Sequence, residues 1–459
     1  MEKTSPVSLI DELIEKSKMA QIEFEKFSQA QVDQVVKAIA KVVYDNAKEL
    51  ARMAVDETRM GNYEDKLKKK LGKARILWHS LKGKKSVGLI GYDEASGIAL
   101  VAKPMGVVGA VTPCTNPVVT PMCNIMFALK GRNSVIIAPH PRAKKCGKYV
   151  VDLFNAATAK YNTPANLIQI IEEPTIELTG ELMKKVDVVI ATGGMGMVKA
   201  AYSSGRPAYG VGVGNVQVII DRDADIKEVD PKIIVGRAFD NGIICSAEQT
   251  VMIPEEKFEA VIAEFEANGC YFISDASQKA KLRDTLFIDG VPNKDVIGQD
   301  VASIAALARI KVPPDTKVLI VEADGIGKAD LFCKEKMCLV LAVIKYREFS
   351  DAVAIAQANL DFEGKGHSVT IHSNTKKNIE YAAENIKVSR FLINQICATS
   401  NGGSFFNGLA ATTTLGCGSW GNNSISENLD YKHLINIGRI AYFKKDSRMP
   451  TDDELWGDA

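Results

Sequence analysis

The sequence predicts an α/β protein built on two parallel sheets. Three observations lead there. The 459 residues exceed what one hydrophobic core usually serves, so two or three domains are expected. Short, β-branched, nearly all-apolar runs alternate with amphipathic helical stretches, as strands do when crossover helices cover both faces of their sheet. The alternation also comes as two series, one from Val101 and one from about residue 250.

Residues 7–56 read as two helices, because "QVVKAIAKVVYDNAKELARMAV" repeats apolar residues at spacings of three and four. Val7, Leu9, Ile10, Leu13 and Ile14 make an apolar stripe. Packing on the body of the protein is favoured over docking to a larger assembly. The run "KLKKKLGKAR", Lys66 to Arg75, is expected to be a solvated helix face. The first strand series is "GVVGAVTP" (106–113), "NSVIIAPHP" (133–141), "LIQIIE" (167–172), "VDVVIATGG" (186–194) and "NVQVIID" (215–221). The second is "TVMIP", "KVLIVEA", "CLVLAVIKY" and "SVTIHS", with helices such as "FEAVIAEFEANG" between them. No Pro/Gly/Ser-rich linker separates the halves, so they should pack closely, and a cleft between them is the expected site.

Composition narrows the function classes. Hydrophobic residues make up 46% and charged residues 25%, ordinary for a soluble globular protein. The net charge of +1 gives no reason to expect a nucleic-acid partner. No run reaches the roughly 18–20 apolar residues of a membrane span, and the N-terminal stretch lacks an export signal. The nine cysteines are odd in number and contain no CxxC pair, which argues against zinc or iron–sulfur sites and for a reducing, cytoplasmic location.

Five stretches carry candidate chemistry. In "VVIATGGMGMVKAAYSSGRP" a strand ends in Thr192 and Gly193, Gly194 and Gly196 before a helix, a turn at which backbone N–H groups can approach a phosphate. In "IIAPHPRAKK" a strand runs out into His140, Arg142, Lys144 and Lys145, which suit phosphate recognition. No carboxylate follows that strand to bind two ribose hydroxyls, which tilts the reading toward NADP over NAD. Asn116, in "TPCTNP", is either a turn residue or an oxyanion donor. Glu335, in "CKEKMC", is a ribose-binding carboxylate or a solvated loop charge. Cys245, in "FDNGIICSAEQ", is a packed thiol or a nucleophile.

Together these stretches, with "GKGHSVTIHS" and "TTTLGCGSWGNNSISENL", resemble the aldehyde dehydrogenase superfamily, and within it the CoA-acylating branch. The resemblance covers about residues 10 to 445 in the family's order. It implies the aldehyde dehydrogenase fold: residues 1–221 a nucleotide-binding domain, 222–430 a catalytic domain, and 431–459 a C-terminal oligomerisation segment. "GIALVAKPMG", near 97–106, and "NIGRIAYFKK" would be strands of a small oligomerisation hairpin, giving a homodimer or dimer of dimers. Cys245 is implied as the nucleophile, with Asn116 and the Cys245 backbone N–H stabilising the oxyanion. Thr192, the three glycines, His140, Arg142 and Glu335 are implied for NADP or NAD, and coenzyme A as co-substrate. His367 is implied as a proton relay, with a structural histidine as the alternative.

The hydrolytic branch carries a glutamate in an E-L-G-G motif that activates water against the thioester. The corresponding stretch here, "YGVGVGNVQVI" (209–219), holds no acid. Glu248 lies three residues past Cys245, and bracing the loop is favoured for it over acting as a base. His79, His372 and His433 have no chemical context. Within the branch the resemblance extends to reductases of succinyl-CoA, with 4-hydroxybutyryl-CoA or a short aliphatic acyl-CoA as alternatives. A carboxylate tail would want a cation or several donors. Arg390 and Ser246 are the candidates, although a structural Arg390 is favoured. "CATSNGGSFFNGLA", with Phe405 and Phe406, is expected to line the acyl pocket. The rivals are a hydrolytic aldehyde dehydrogenase and a non-catalytic member of the same fold.

Overall fold

The computed structural model describes residues 6–457. Four helices open the chain: α1 (Pro6–Phe24), α2 (Gln29–Asp45), α3 (Ala47–Thr58) and α4 (Tyr63–Leu81). Three helices, not two, therefore cover residues 7–56. Ser28 and Gln31 form a capping box that starts α2, and the chain turns again at Asn46 with no proline or glycine to announce it. Ile10 and Ile14 bury against Val107, Ile136 and Leu182, so the α1 stripe packs on its own protein. No helix among the described residues is long and apolar enough to cross a membrane.

A hairpin, β1 (Gly88–Asp93) and β2 (Ile98–Pro104), leads into the first parallel sheet. That sheet holds β3 (Val107–Thr112), β4 (Ser134–Pro139), β5 (Ile168–Ile170), β6 (Val188–Thr192) and β7 (Ala208–Val211), in the order β5-β4-β3-β6-β7. The connecting helices are α5 (Val119–Lys130), α6 (Lys144–Ala159), α7 (Ile176–Lys185) and α8 (Met195–Tyr202). Strand order reverses between β3 and β6, and that reversal opens a crevice at their carboxyl ends.

The second sheet begins with β8 (Val216–Ile220), followed by α9 (Ile226–Ala238), β9 (Glu248–Pro254) and β10 (Cys270–Ile273). After a two-residue-stranded hairpin, β11 (Phe287–Ile288) and β12 (Val291–Pro292), come β13 (Val318–Glu322), β14 (Val340–Tyr346), β15 (Val369–His372) and β16 (Phe391–Ile393). Their order is β10-β13-β14-β9-β8-β15-β16, all parallel. β8 pairs with β9 and β15, so the chain changes sheets at residues 212–215, one strand before the expected boundary at 221. The last strand, β17 (Ile435–Ala441), returns antiparallel to β2 and makes the small sheet three-stranded.

The crossover at 212–215 decides where the site lies. It joins the carboxyl end of β7 directly to the amino end of β8. The Asn116 loop and Thr192 leave the first sheet at its carboxyl ends. Cys245, Glu335 and His367 each precede a strand of the second sheet, at its amino end.

Candidate active site

Cys245 follows a turn that the backbone would not adopt unaided. Asp240, Asn241 and Gly242 have φ of 52°, 53° and 72°, three consecutive left-handed residues. Such conformations cost a non-glycine residue of order 1–3 kcal/mol when nothing compensates. Here side chains from two other segments hold the turn. The Asp240 carboxylate accepts from Lys69 at 2.6 Å, from Lys66 at 3.1 Å and from the Asn62 N–H at 3.1 Å. Fully buried Arg237 donates to the carbonyls of Gly242 at 2.7 Å and Glu248 at 2.8 Å. Burial raises the Asp240 carboxyl, but the two ammonium groups outweigh it and hold the group below the usual carboxylate range.

The half-buried thiol opens into a cavity of about 460 Å³ lined by Lys69, Lys73, Asn116, Ser246, Phe405 and Phe406 among others. Burial, then the Glu335 carboxyl, push the Cys245 thiol up to about 12. The resting group is therefore a thiol, and its reaction needs a base or a bound partner that favours the thiolate. Ser246 is held by donating to the Ala398 carbonyl at 3.2 Å. Phe405 packs edge-on against His79, ring centroids 5.2 Å apart, while Phe406 is 92% exposed at the mouth.

Behind the cysteine lies the crossover. A Cβ on Gly214 would sit 2.1 Å from the Cys245 carbonyl oxygen and 3.1 Å from His367 Nε2, so only glycine lets these three groups share the spot. The Gly214 N–H donates to Glu335 at 3.2 Å. His367 is fully buried, neither ring nitrogen has a hydrogen-bond partner among the described residues, and burial with Arg390 lowers it to about 3. Its imidazole is neutral at physiological pH and has two nitrogens to offer. Burial and the neighbouring Glu363 carboxylate raise Glu335 well above the usual carboxylate range.

Across the cleft, the carboxyl end of β6 fits a nucleotide. The Thr192 hydroxyl is buried with no partner among the described residues. Gly194 starts α8 with no side-chain cap, and a Cβ at Gly194 or Gly196 would meet nothing within 4 Å. Backbone N–H groups there are open to a phosphate, and a side chain would fill the approach. At the carboxyl end of β4, on the far side of β3, His140 accepts from the Arg142 N–H at 3.1 Å, and the Arg142 guanidinium donates to the Thr58 carbonyl at 3.0 Å. No carboxylate follows β4 in sequence, but α3 brings one. Glu57 accepts from the N–H groups of Lys145 at 2.9 Å and Cys146 at 2.7 Å.

The model of the aldehyde dehydrogenase family matches residues 4–269. The chain is 54% identical to a succinate-semialdehyde dehydrogenase (acetylating) of Clostridium kluyveri, over 98% of this chain and 99% of that one. The chain belongs to the aldehyde dehydrogenase family. It falls in the acylating branch, as an oxidoreductase. A sulfoacetaldehyde dehydrogenase of Acholeplasma is 43% identical over 97% of this chain and 93% of its own. The crystal structure of an acetylating aldehyde dehydrogenase from Geobacillus thermoglucosidasius superposes with a TM-score of 0.93 at 37% identity, covering 97% of this chain and 98% of that one. Two structures at 28% identity carry bound molecules. One is a Rhodopseudomonas palustris propionaldehyde dehydrogenase with bound CoA and an acylated cysteine (TM-score 0.84, 94% of this chain, 97% of that one). The other is an engineered glycolyl-CoA reductase with bound NADP+ (TM-score 0.85, 94% of this chain, 96% of that one).

The fold brings Cys245, Ser246, Asn116 and Phe405 to one cavity, with His367 and Glu335 behind the cysteine. It does not bring Arg390 there. That guanidinium is buried and donates to the carbonyls of Gly416 at 2.7 Å and His367 at 2.8 Å, and to Ser368 at 3.2 Å. Glu248 is also turned away: one carboxylate oxygen accepts from the Cys397 N–H at 2.7 Å. The cations of the cavity come instead from α4, where a solvated face was expected. Lys66, Lys69, Lys70 and Lys73 turn inward, Lys66 and Lys70 nearly fully buried, and Lys69 and Lys73 line the cavity. Their spacing of i, i+3, i+4, i+7 is that of a buried helix stripe, and this was the signal available in the sequence.

Proposed function

We propose that the chain catalyses the reversible reduction of a short, anionic acyl-CoA, with succinyl-CoA foremost, to its aldehyde through a thioester on Cys245. The observation that carries this reading is the cavity itself: a thiol, an amide and an ammonium group converge in it, and no acid reaches it from residues 209–219.

In the reductive direction, the Cys245 sulfur attacks the thioester carbonyl and gives up its proton. Asn116 and the Cys245 N–H hold the oxyanion. The C–S bond to CoA breaks, and the CoA sulfur leaves as the thiol after taking a proton. His367, neutral and with free nitrogens beside Cys245, is the group suited to move that proton. When bound, NADPH or NADH supplies the hydride that turns the enzyme thioester into the aldehyde. Thr192, Gly193, Gly194 and Gly196 would hold its phosphates, and Glu335 its ribose. His140 and Arg142 lie at the carboxyl end of β4 in the same sheet. In the oxidative direction the thioester waits for CoA. Water finds no base in the crossover, and Glu248 does not line the cavity. The CoA thiol, being far more acidic than water, needs less help.

Lys73 supports an anionic substrate. Its ammonium donates to the carbonyls of Gly402 at 2.8 Å and Thr412 at 3.4 Å, which line the same cavity, and it has a third proton to offer. The two relatives at 54% and 43% identity are named for anionic aldehydes, a carboxylate and a sulfonate. Turnover of succinate semialdehyde, sulfoacetaldehyde and butanal, each with CoA and with NADP+ or NAD+, tests the assignment. Succinate semialdehyde should give the highest kcat/KM. A preference for butanal would refute the anionic pocket, and a preference for sulfoacetaldehyde would keep the pocket and reject the four-carbon substrate.

A further inference from the structure

Of the four inward lysines, Lys69 alone touches Asn116. Its Nζ donates to Asn116 Oδ1 at 2.8 Å and to Asp240 Oδ2 at 2.6 Å, and its side chain is only 8% exposed. Among the described residues no protein group accepts from Asn116 Nδ2, and Asn116 lines the cavity into which Cys245 opens. We propose that Lys69 is the positioning residue of the oxyanion site, fixing the Asn116 amide in the one orientation that leaves its N–H donors to the Cys245 cavity. This rests on Asn116 being the oxyanion donor.

The physical basis is the asymmetry of the two groups. An amide is an acceptor at one end and a donor at the other, and the two ends have nearly the same shape. Packing alone does not choose between them. An ammonium group is a donor only, so it accepts no bond from the NH2 end. Rotating the amide by 180° would set NH2 against NH3+ and turn the carbonyl oxygen toward the place where negative charge develops. Asp240 keeps the ammonium where it is. The carboxylate is fully buried, sits on the left-handed turn and is also held by Lys66 and the Asn62 N–H. The strained turn before Cys245 therefore has a second consequence: it anchors the cation that sets the amide. A charge bonded to the amide oxygen also polarises the N–H bonds, which strengthens them as donors.

A double-mutant cycle on the full enzyme tests this, read as release of CoA thiol from succinyl-CoA in a single turnover. Removing one oxyanion donor typically costs about 10²–10³ in rate. Misorienting the donor should cost about 10- to 100-fold in the acylation rate for Lys69→Met, with the succinyl-CoA concentration dependence little changed. Asn116→Ala should be slow, and Lys69→Met in the Asn116→Ala background should cost nothing further. Lys69→Gln, which restores a neutral donor toward Asn116 Oδ1, should recover part of the loss. Lys66→Met, which weakens the same Asp240 cluster without touching Asn116, should cost less than Lys69→Met. Independent effects in the double variant, or equal losses at Lys66 and Lys69, would overturn the positioning role. Wild-type acylation in Asn116→Ala would instead remove the oxyanion reading on which it rests. Circular dichroism on each variant separates these from unfolding.

Discussion

Replacing Lys73 by methionine keeps most of the side chain's length and removes its charge. A hydrogen bond to a charged group is worth about 1.5–3 kcal/mol, and each 1.36 kcal/mol is tenfold in rate. Lys73→Met should therefore lower kcat/KM for succinate semialdehyde by about 10- to 150-fold. The same change leaves butanal without an unpaired partner and adds apolar surface to its pocket, so its kcat/KM should hold or rise. Lys73 also ties Gly402 to Thr412, and loss of that tie alone would harm both substrates alike. The assay is therefore the ratio of the two kcat/KM values, by nicotinamide absorbance with saturating CoA. Burial above all, and Lys69, lower the Lys73 ammonium to about 8. In the wild type the ratio should be constant below that pH and decline above it as the charge is lost, while the titration of Cys245 cancels between substrates. An equal loss for both aldehydes in Lys73→Met, or a pH-independent wild-type ratio, would refute the assignment of Lys73 to the substrate anion.

Two further outcomes follow from buried groups. With Cys245 pushed up to about 12, its alkylation by iodoacetamide in the ligand-free enzyme should rise about tenfold per pH unit from 7 to 10 without levelling, measured by mass spectrometry of the Cys245 peptide. Levelling near pH 8 would mean the thiolate is favoured in the resting site. Asp230 of α9 is fully buried, neither carboxylate oxygen has a partner among the described residues, and burial, then Glu264, raise it to about 8. A carboxyl raised on folding makes stability fall as pH rises from its unfolded value, near 4, to about 8. Asp230→Asn should thus raise the melting temperature at pH 8.5, by the equivalent of about 1–3 kcal/mol, with the gain vanishing near pH 4. A lowered melting temperature at pH 8.5 would show that the charged form has a partner.

The two sheets were legible because their strands are almost wholly apolar and β-branched, as strands covered on both faces must be. The boundary between them was less so. "GVGN", at 212–215, has no proline and no polar run, and its glycines read as a continuation of the strands on either side. Their reason is tertiary: Gly214 passes against Cys245 and His367. Cys245, Asn116, Glu335 and His367 stood out through resemblance. Nothing local to those residues predicts that they meet, since they come from loops before or after strands of two different sheets. Arg390 was open between a pocket cation and the favoured structural arginine, because sequence does not say what its guanidinium faces. It faces the carbonyls of Gly416 and His367. The lysines of α4 misled. Lysine is normally solvated, so a run of it reads as surface, and only its helical spacing marks it as inward-facing. Glu57 could not be paired with the β4 end by sequence at all, because α3 lies some 90 residues upstream of the amides it caps, a separation of 88 and 89 positions.

The acylating mechanism is tested most directly by following nicotinamide absorbance with succinate semialdehyde and NADP+ or NAD+, with and without CoA, beside Cys245→Ala. Steady turnover that requires both CoA and Cys245, with at most one equivalent of reduced cofactor formed when CoA is omitted, is the predicted result. Equal steady turnover without CoA would contradict it, because water would then be reaching the Cys245 thioester with a base that the crossover does not supply.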